Sequence, residues 1–319
     1  MKLVDRTLER MDEFQRRHRW AAFPFAVIKK FGDDGAGNLA SLLALYGFLS
    51  MFLLLMVFVT ILGFVLHSNT KLESDLVNSI LGQFPVIGSK IKAHSLERSG
   101  LALFIGVVGA LYSGLGVIRV AQSAMDEVWD VPKKLRPNFL SSITRALMML
   151  AVAGAAVVLS TVLSGLAAAA SGFGVWAKIG GVAGATVLNI GIFLLAFRIL
   201  TVAKVSWRDV LPGAIIAGVT WEVLLLSGTY LVGHQIKNAS AIYGVFALVI
   251  GLLWWLKIGA QVTLYAAEIN VVRNKHLYPR SMREPPSDAD EVTLHREAMQ
   301  EERVPEEPID VHFERDQRV

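Results

Sequence analysis

Six apolar blocks of about 20 residues or more, parted by polar stretches, constrain this chain more than anything else in it. They fall at about 39–66, 100–118, 144–170, 179–203, 210–233 and 241–272. A helix rises 1.5 Å per residue, so about 20 apolar residues cross a hydrocarbon core of about 30 Å. In lipid every backbone N–H and C=O must be satisfied within such a segment, and helices do that. The predicted fold is therefore all-α, a polytopic six-helix transmembrane bundle. A soluble domain of 319 residues would need more charge than 18% and less hydrophobic content than 54%. The first block starts near Leu39 and is too long for a cleaved signal segment, so it reads as a retained span.

Charge gives the orientation and three regions. With the N-terminus inside, the flanks hold nineteen Lys and Arg on the inner side against six on the outer. The positive-inside rule then places both termini in the cytoplasm. Residues 1–38 form a basic leader in which Leu3, Met11, Phe14 and Trp20 alternate with Arg6, Arg10, Arg16, Arg17 and Arg19. That pattern fits a helix lying in the headgroup plane, or a solvated leader whose arginines only fix topology. Residues 39–272 are the membrane domain. Residues 273–319 are an acidic tail, with 12 acidic and 4 basic residues from Glu284 onward. Its prolines and low apolar content predict a largely disordered segment. The rest of the chain is basic, which predicts contact with anionic lipids through Arg16, Arg17, Arg19, Lys29, Lys30, Lys133, Lys134 and Arg136. Nucleic acid is not an expected partner.

The connection between spans one and two, about 33 residues, is too long for a turn. Leu72, Leu76, Ile80 and Phe84 recur every four residues up to Pro85. They predict an amphipathic outer helix on the bundle, either a cap or a gate.

Polar residues inside the spans are the candidate functional groups. On a helix Lys257, Gln261, Tyr265 and Glu268 share one face. Glu222 lies mid-span on the stripe Ala214, Gly218, Glu222, and Asn189 on the stripe Gly181, Ala185, Asn189. Such groups cost a few kcal/mol each in a membrane and so face protein or water. Two readings stand. One makes Glu222–Lys257 a buried ion pair with Asn189 and Gln261 as hydrogen-bonding glue. The other makes them the lining of a polar site for a solute, proton or lipid headgroup. Further small-residue stripes, Gly106, Ala110, Gly114, then Ala156, Ser160, Ser164, and Gly180, Gly184, predict close helix packing.

Several chemistries lack their residues. There is no cysteine, no His or Asp in any span, no paired histidines for zinc and no phosphate-binding Gly-rich loop. Asp126, Glu127 and Asp130 adjoin Lys133, Lys134 and Arg136 and read as an ionic elbow rather than a metal site. No enzymatic activity and no cofactor are expected.

The stretches "LLALYGFLSMFLLLMVFVTILGFVL", "AMDEVWDVP", "LPGAIIAGVTWE" and "YGVFALVIGLLWWLKIGAQVTLYAAEIN" resemble the YihY/BrkB family of bacterial inner-membrane proteins. "QFPVIGSKI" is most like its YhjD-type branch. The resemblance spans about residues 25–275. It implies six spans, a cytoplasmic-membrane location and a link to envelope maintenance. It also implies transport as a candidate role, and a ribonuclease label that no residue pattern here supports. Tyr243 and Gly244 match the family's entry to the last span, and Glu268 and Asn270 match its Glu-x-Asn ending. The chain departs from the family at Leu53, where proline is usual. It departs also at Asp126 and Asp130, where Asn and Gly are usual, and at Lys257, where an aromatic is common. The expected function is transport of an envelope lipid or amphipathic solute through a polar site between spans four to six. The alternative is a non-transporting membrane scaffold. Self-association as a homo-oligomer is left open.

Overall fold

In the computed structural model, the described residues are 12–65, 100–169, 174–231, 237–282, 286–304 and 308–309. All regular structure among them is helical. The helices are α1 (Arg19–Asp33), α2 (Ala36–Val65), α3 (Gly100–Val128), α4 (Phe139–Ala169), α5 (Val175–Leu200), α6 (Trp207–Leu231), α7 (Lys237–Asn274) and α8 (Asp288–Gln300), with one 3-10 turn at Lys133–Leu135. The chain divides into two compact units. One comprises Met1–Ala40, Ala121–Leu224 and Gln261–Val319, and the other Ser41–Val120 and Leu225–Ala260.

The six apolar blocks coincide with α2 to α7. Among the described residues four helices are long and apolar enough to cross a membrane. Their windows are Phe139–Ala156, Ile179–Leu200, Trp207–Ser227 and Val249–Asn274. Only 6% of the windows in α4 and in α5 is buried within the protein. Apolar side chains on these two helices, such as Leu147, Leu159 and Val187, are exposed. The amphipathic connection predicted over residues 67–99 lies outside the described residues.

Three boundaries differ from the prediction. Helix α3 runs ten residues beyond the predicted end at 118. Arg119 ends the apolar run there, but Ala, Gln, Met and Glu beyond it sustain a helix. The helix stops instead in a Schellman-type cap, with Val131 N–H on the Asp126 carbonyl at 2.8 Å and Asp130 N–H on Glu127 at 2.9 Å. Asp130 occupies the left-handed position of that cap, φ 53°. Helix α7 has 38 residues, about 57 Å of helix, and so outruns a bilayer. The third difference is in the tail. Residues 288–300, predicted to be disordered, form α8. Ser287 and Asp290 make a capping box at its start, which fixes a helix even in an acidic segment.

Two glycines explain how the helices of the first unit approach. A Cβ on Gly218 of α6 would lie 2.5 Å from Ile190 Cγ1 and 2.7 Å from the Ile190 backbone nitrogen on α5. A Cβ on Gly213 would strike the Ala266 carbonyl and the Asn270 side chain on α7. Ala214, Ala217, Ala266 and Ala267 are fully buried. The predicted stripe Ala214, Gly218 is thus a packing face, as small residues permit in lipid. Gly114 and Gly180, expected in similar roles, face open space.

Candidate functional site

Helix α1 buries Ala22, Ala26, Val27, Lys30 and Phe31 on one face and turns Trp20 and Ile28 outward. The Phe31 ring stacks on Tyr265 of α7 with 3.8 Å between centroids. That contact sets Lys30, fully buried, among acids from three elements. Lys30 Nζ is 2.8 Å from Asp34, one helical turn on, and 2.8 Å from Asp130 at the end of α3. Glu268 of α7, fully buried, completes the group. Gln300 of α8 closes it, donating to the Glu127 carbonyl at 2.9 Å and to Asp130 at 3.3 Å.

The electrostatics follow from one cation among three carboxyls. Desolvation alone would lower the Lys30 pKa. The charges of Glu268, Asp130 and Asp34 outweigh it and hold the ammonium above its ordinary value. Burial raises Asp34 to about 6 despite the opposing pull of Lys30. Both Glu268 oxygens are buried without a donor.

Next to this cluster the family's Glu-x-Asn ending acquires a second role. Asn270 Oδ1 accepts the Gly213 N–H at 2.7 Å. That bond sits one residue after Pro212 and ties α7 to α6 where Gly213 lets the two helices come close. One residue pair thus joins α7 to α1 through Glu268 and to α6 through Asn270.

A second layer ties the leader to the tail. Asp290 of α8 receives Lys29 Nζ at 2.7 Å and Arg280 Nε at 2.5 Å, and Arg280 also reaches Asp33 at 2.8 Å. Burial alone would raise the Asp290 pKa. The hydrogen bonds from Lys29, Ser287, the Ser281 N–H and Arg280 outweigh it and hold the carboxyl far below the usual carboxylate range. Lys133 pairs with Glu301 at 2.6 Å, Lys134 with Glu302 at 2.5 Å, and Arg136 with Glu127 at 2.8 Å.

The predicted site residues divide accordingly. Asn189 Nδ2 donates to Glu222 Oε2 at 3.0 Å, joining α5 to α6, and Glu222 is half-buried. Lys257 and Gln261 are also half-buried on the continuous helix α7, and Lys257 belongs to the second unit. Glu268 belongs to the Lys30 cluster. Lys30 itself, expected at the membrane surface, is instead sealed inside, because three carboxyls compensate it there. Arg17 and Arg19 are exposed, and Arg16 bridges to Asp12 at 2.9 Å. Lys29, Lys133, Lys134 and Arg136 are engaged by the acids named above. Sequence reasoning missed Lys30, Asp34 and Asp130 as partners. The available signal was Asp130, an acid where the resemblance led us to expect glycine. Among the described residues no group of three or more His, Asp or Glu is arranged to hold a metal.

An all-helical chain with membrane-length apolar helices, and a charged layer of leader, elbow and tail, is the class of protein these observations define. The family model described as "Virulence factor BrkB" matches residues 27–291. The chain belongs to that family. It is similar to the inner membrane protein YhjD of Escherichia coli K12, 24% identical over 261 residues that cover 75% of this chain and 77% of YhjD. It is similar also to YfkH of Bacillus subtilis 168, named as ribonuclease-like, 24% identical over 249 residues that cover 73% of this chain and 88% of YfkH. No solved structure matches it.

Proposed function

We propose that the chain is a six-span protein of the bacterial inner membrane, moving an envelope lipid or another amphipathic solute along a polar path beside Asn189 and Glu222. The observation that carries this reading is the state of Glu222. It lies within the apolar window of α6, half-buried, and takes one hydrogen bond from a neutral amide. An ionised carboxylate has about four acceptor sites, so one amide leaves most of its need unmet. Water or a polar solute group is then its natural partner. Gln261 extends the polar face along α7, and Lys257 shares that face by spacing, whereas Glu268 on the same face is sealed in the Lys30 cluster.

The name of the E. coli relative supports the inner-membrane location, and the Lys and Arg asymmetry supports cytoplasmic termini. The ribonuclease-like name of the B. subtilis relative is not carried over, and neither enzymatic activity nor a cofactor is proposed. The alternative reading, a membrane scaffold, draws support from the ion-paired layer of α1, α8 and the elbow, whose role is architectural.

The test is reconstitution in vesicles with a short-chain fluorescent phospholipid analogue. The wild-type chain is expected to speed its movement between leaflets. Glu222→Gln is expected to slow it about tenfold or more while keeping the wild-type melting temperature. Equal rates for empty vesicles, wild type and variant would leave the scaffold reading in possession.

A further inference from the structure

The tail helix α8 does more than close the charged layer. Between α8, the elbow at Trp129–Leu135, the α5–α6 connection and the end of α7 lies a cavity of about 920 Å³. Ligand sites commonly have volumes of about 300–1,000 Å³, so this one can hold a headgroup with part of its glycerol backbone. Its walls are mainly apolar, including Trp129, Val131, Val202 and Met299. The polar remainder is dominated by cations. Lys204, Lys275 and Arg296 all line it, with His295 beside them. Of the two acids in the lining, Asp130 is already bound to Lys30 and Gln300, which leaves Glu291 against three cations.

Two observations show these cations to be short of counter-charge. Arg296 Nε is buried with no hydrogen-bond partner, a rare and costly state for a guanidinium N–H. Lys275 titrates below an ordinary lysine because it is desolvated and because Arg296 repels it. An anion between them would give the Arg296 Nε–H an acceptor and offset its repulsion of Lys275. A guanidinium with a lysine at one end of an apolar cleft matches a phosphate group carried on an apolar or glyceryl body. Every contributing segment belongs to the face that the Lys and Arg count assigns to the cytoplasm.

We infer that this cavity is a binding site for a phosphate-bearing anion, with Arg296 and Lys275 as its phosphate ligands and Lys204 at its mouth. The site is separate from the path proposed beside Glu222 and stands whether or not the chain transports anything. Its natural source of phosphate is an inner-leaflet anionic phospholipid or a soluble phosphorylated solute.

The test is the melting temperature of the full chain in a neutral detergent. Three additions are compared, dihexanoyl-phosphatidylglycerol, inorganic phosphate and dihexanoyl-phosphatidylcholine. A ligand that binds only the folded state raises the melting temperature with concentration. The phosphatidylglycerol analogue is expected to raise it, and Arg296→Gln to weaken the half-saturating concentration about tenfold or more. Phosphatidylglycerol acting alone assigns the phosphate to a lipid. An equal effect of inorganic phosphate assigns it to a soluble solute. Lys204→Gln, at an exposed position that threatens no packing, provides a second variant if Arg296→Gln fails to fold, and should weaken binding severalfold. The inference is overturned if neither anion shifts the melting temperature. It is overturned also if phosphatidylcholine shifts it equally, or if both variants bind like wild type.

Discussion

Lys30 and Glu222 are both ionisable side chains set within helices, and their surroundings are opposite. Lys30 is sealed from solvent, and three carboxyls and a glutamine are gathered around it from α1, α3, α7 and α8. Glu222 is half-buried, and one neutral amide attends it. The first arrangement spends several elements on compensating one charge, which is what a structural joint requires. The second leaves acceptor capacity unfilled, which suits a position that meets a changing partner. A cost of a few kcal/mol for an intramembrane charge does not by itself separate architecture from function. The degree of compensation does.

The largest effect expected from breaking this contrast is at Lys30. Lys30→Met leaves two or three buried carboxyls without a cation, and removal of one partner from a buried pair costs about 3–5 kcal/mol. Thermal unfolding in detergent should show a strong loss of stability, whereas Glu222→Gln should keep the wild-type melting temperature. Somewhat smaller is the pH dependence of the same joint. Asp34 has a folded pKa of about 6 against an ordinary 3.8, so the folded protein holds a proton that the unfolded chain releases between those values. Its contribution is complete below about pH 3.8 and is lost as pH rises through about 6, by at most about 3 kcal/mol. Asp34→Asn should flatten the stability profile between pH 4 and 6.

Next come the packing contacts. Gly218→Leu forces α5 and α6 apart at Ile190 and is expected to cost about 1–3 kcal/mol, since over-packed positions relax only in part. Asn270→Ala removes the buried bond to the Gly213 N–H and should cost about 0.5–1.5 kcal/mol by the same unfolding measurement. Smallest is Lys133→Ala. Both partners of the Lys133–Glu301 pair are open to solvent, so the melting temperature should not change measurably.

The helices were legible in the sequence because hydrocarbon thickness leaves a direct mark, a run of apolar residues of known length. The sequence showed Asn189 and Glu222 each on a stripe of small residues, but it paired Glu222 with Lys257, and the bond between Asn189 and Glu222 came from the structure. The Lys30 cluster was not legible. Its members lie at positions 30, 34, 130, 268 and 300, and beyond the one-turn step from 30 to 34 no local periodicity links them. Lys30 looked like one more leader cation because burial of a lysine depends on partners folded in from elsewhere. Asp130 was visible as a departure from the glycine that the resemblance implied. Its meaning needed the structure, in which a left-handed cap position and an ion pair to Lys30 coincide. Helix α8 was hidden by composition, because an acidic, proline-flanked segment reads as disordered until Lys29 and Arg280 are seen to hold Asp290.

The contrast between the two charges can be put to one measurement. The chain has no cysteine, so Glu222→Cys and Ala217→Cys are single-cysteine proteins without further change. Ala217, five residues earlier on α6, is fully buried and serves as the sealed reference. Both variants would be treated in membrane vesicles with a small hydrophilic thiol reagent and read by mass spectrometry. A solute path predicts rapid modification at position 222 and none at 217. If position 222 is as inert as 217, Glu222 is sealed architecture like Lys30, and the proposed path is wrong.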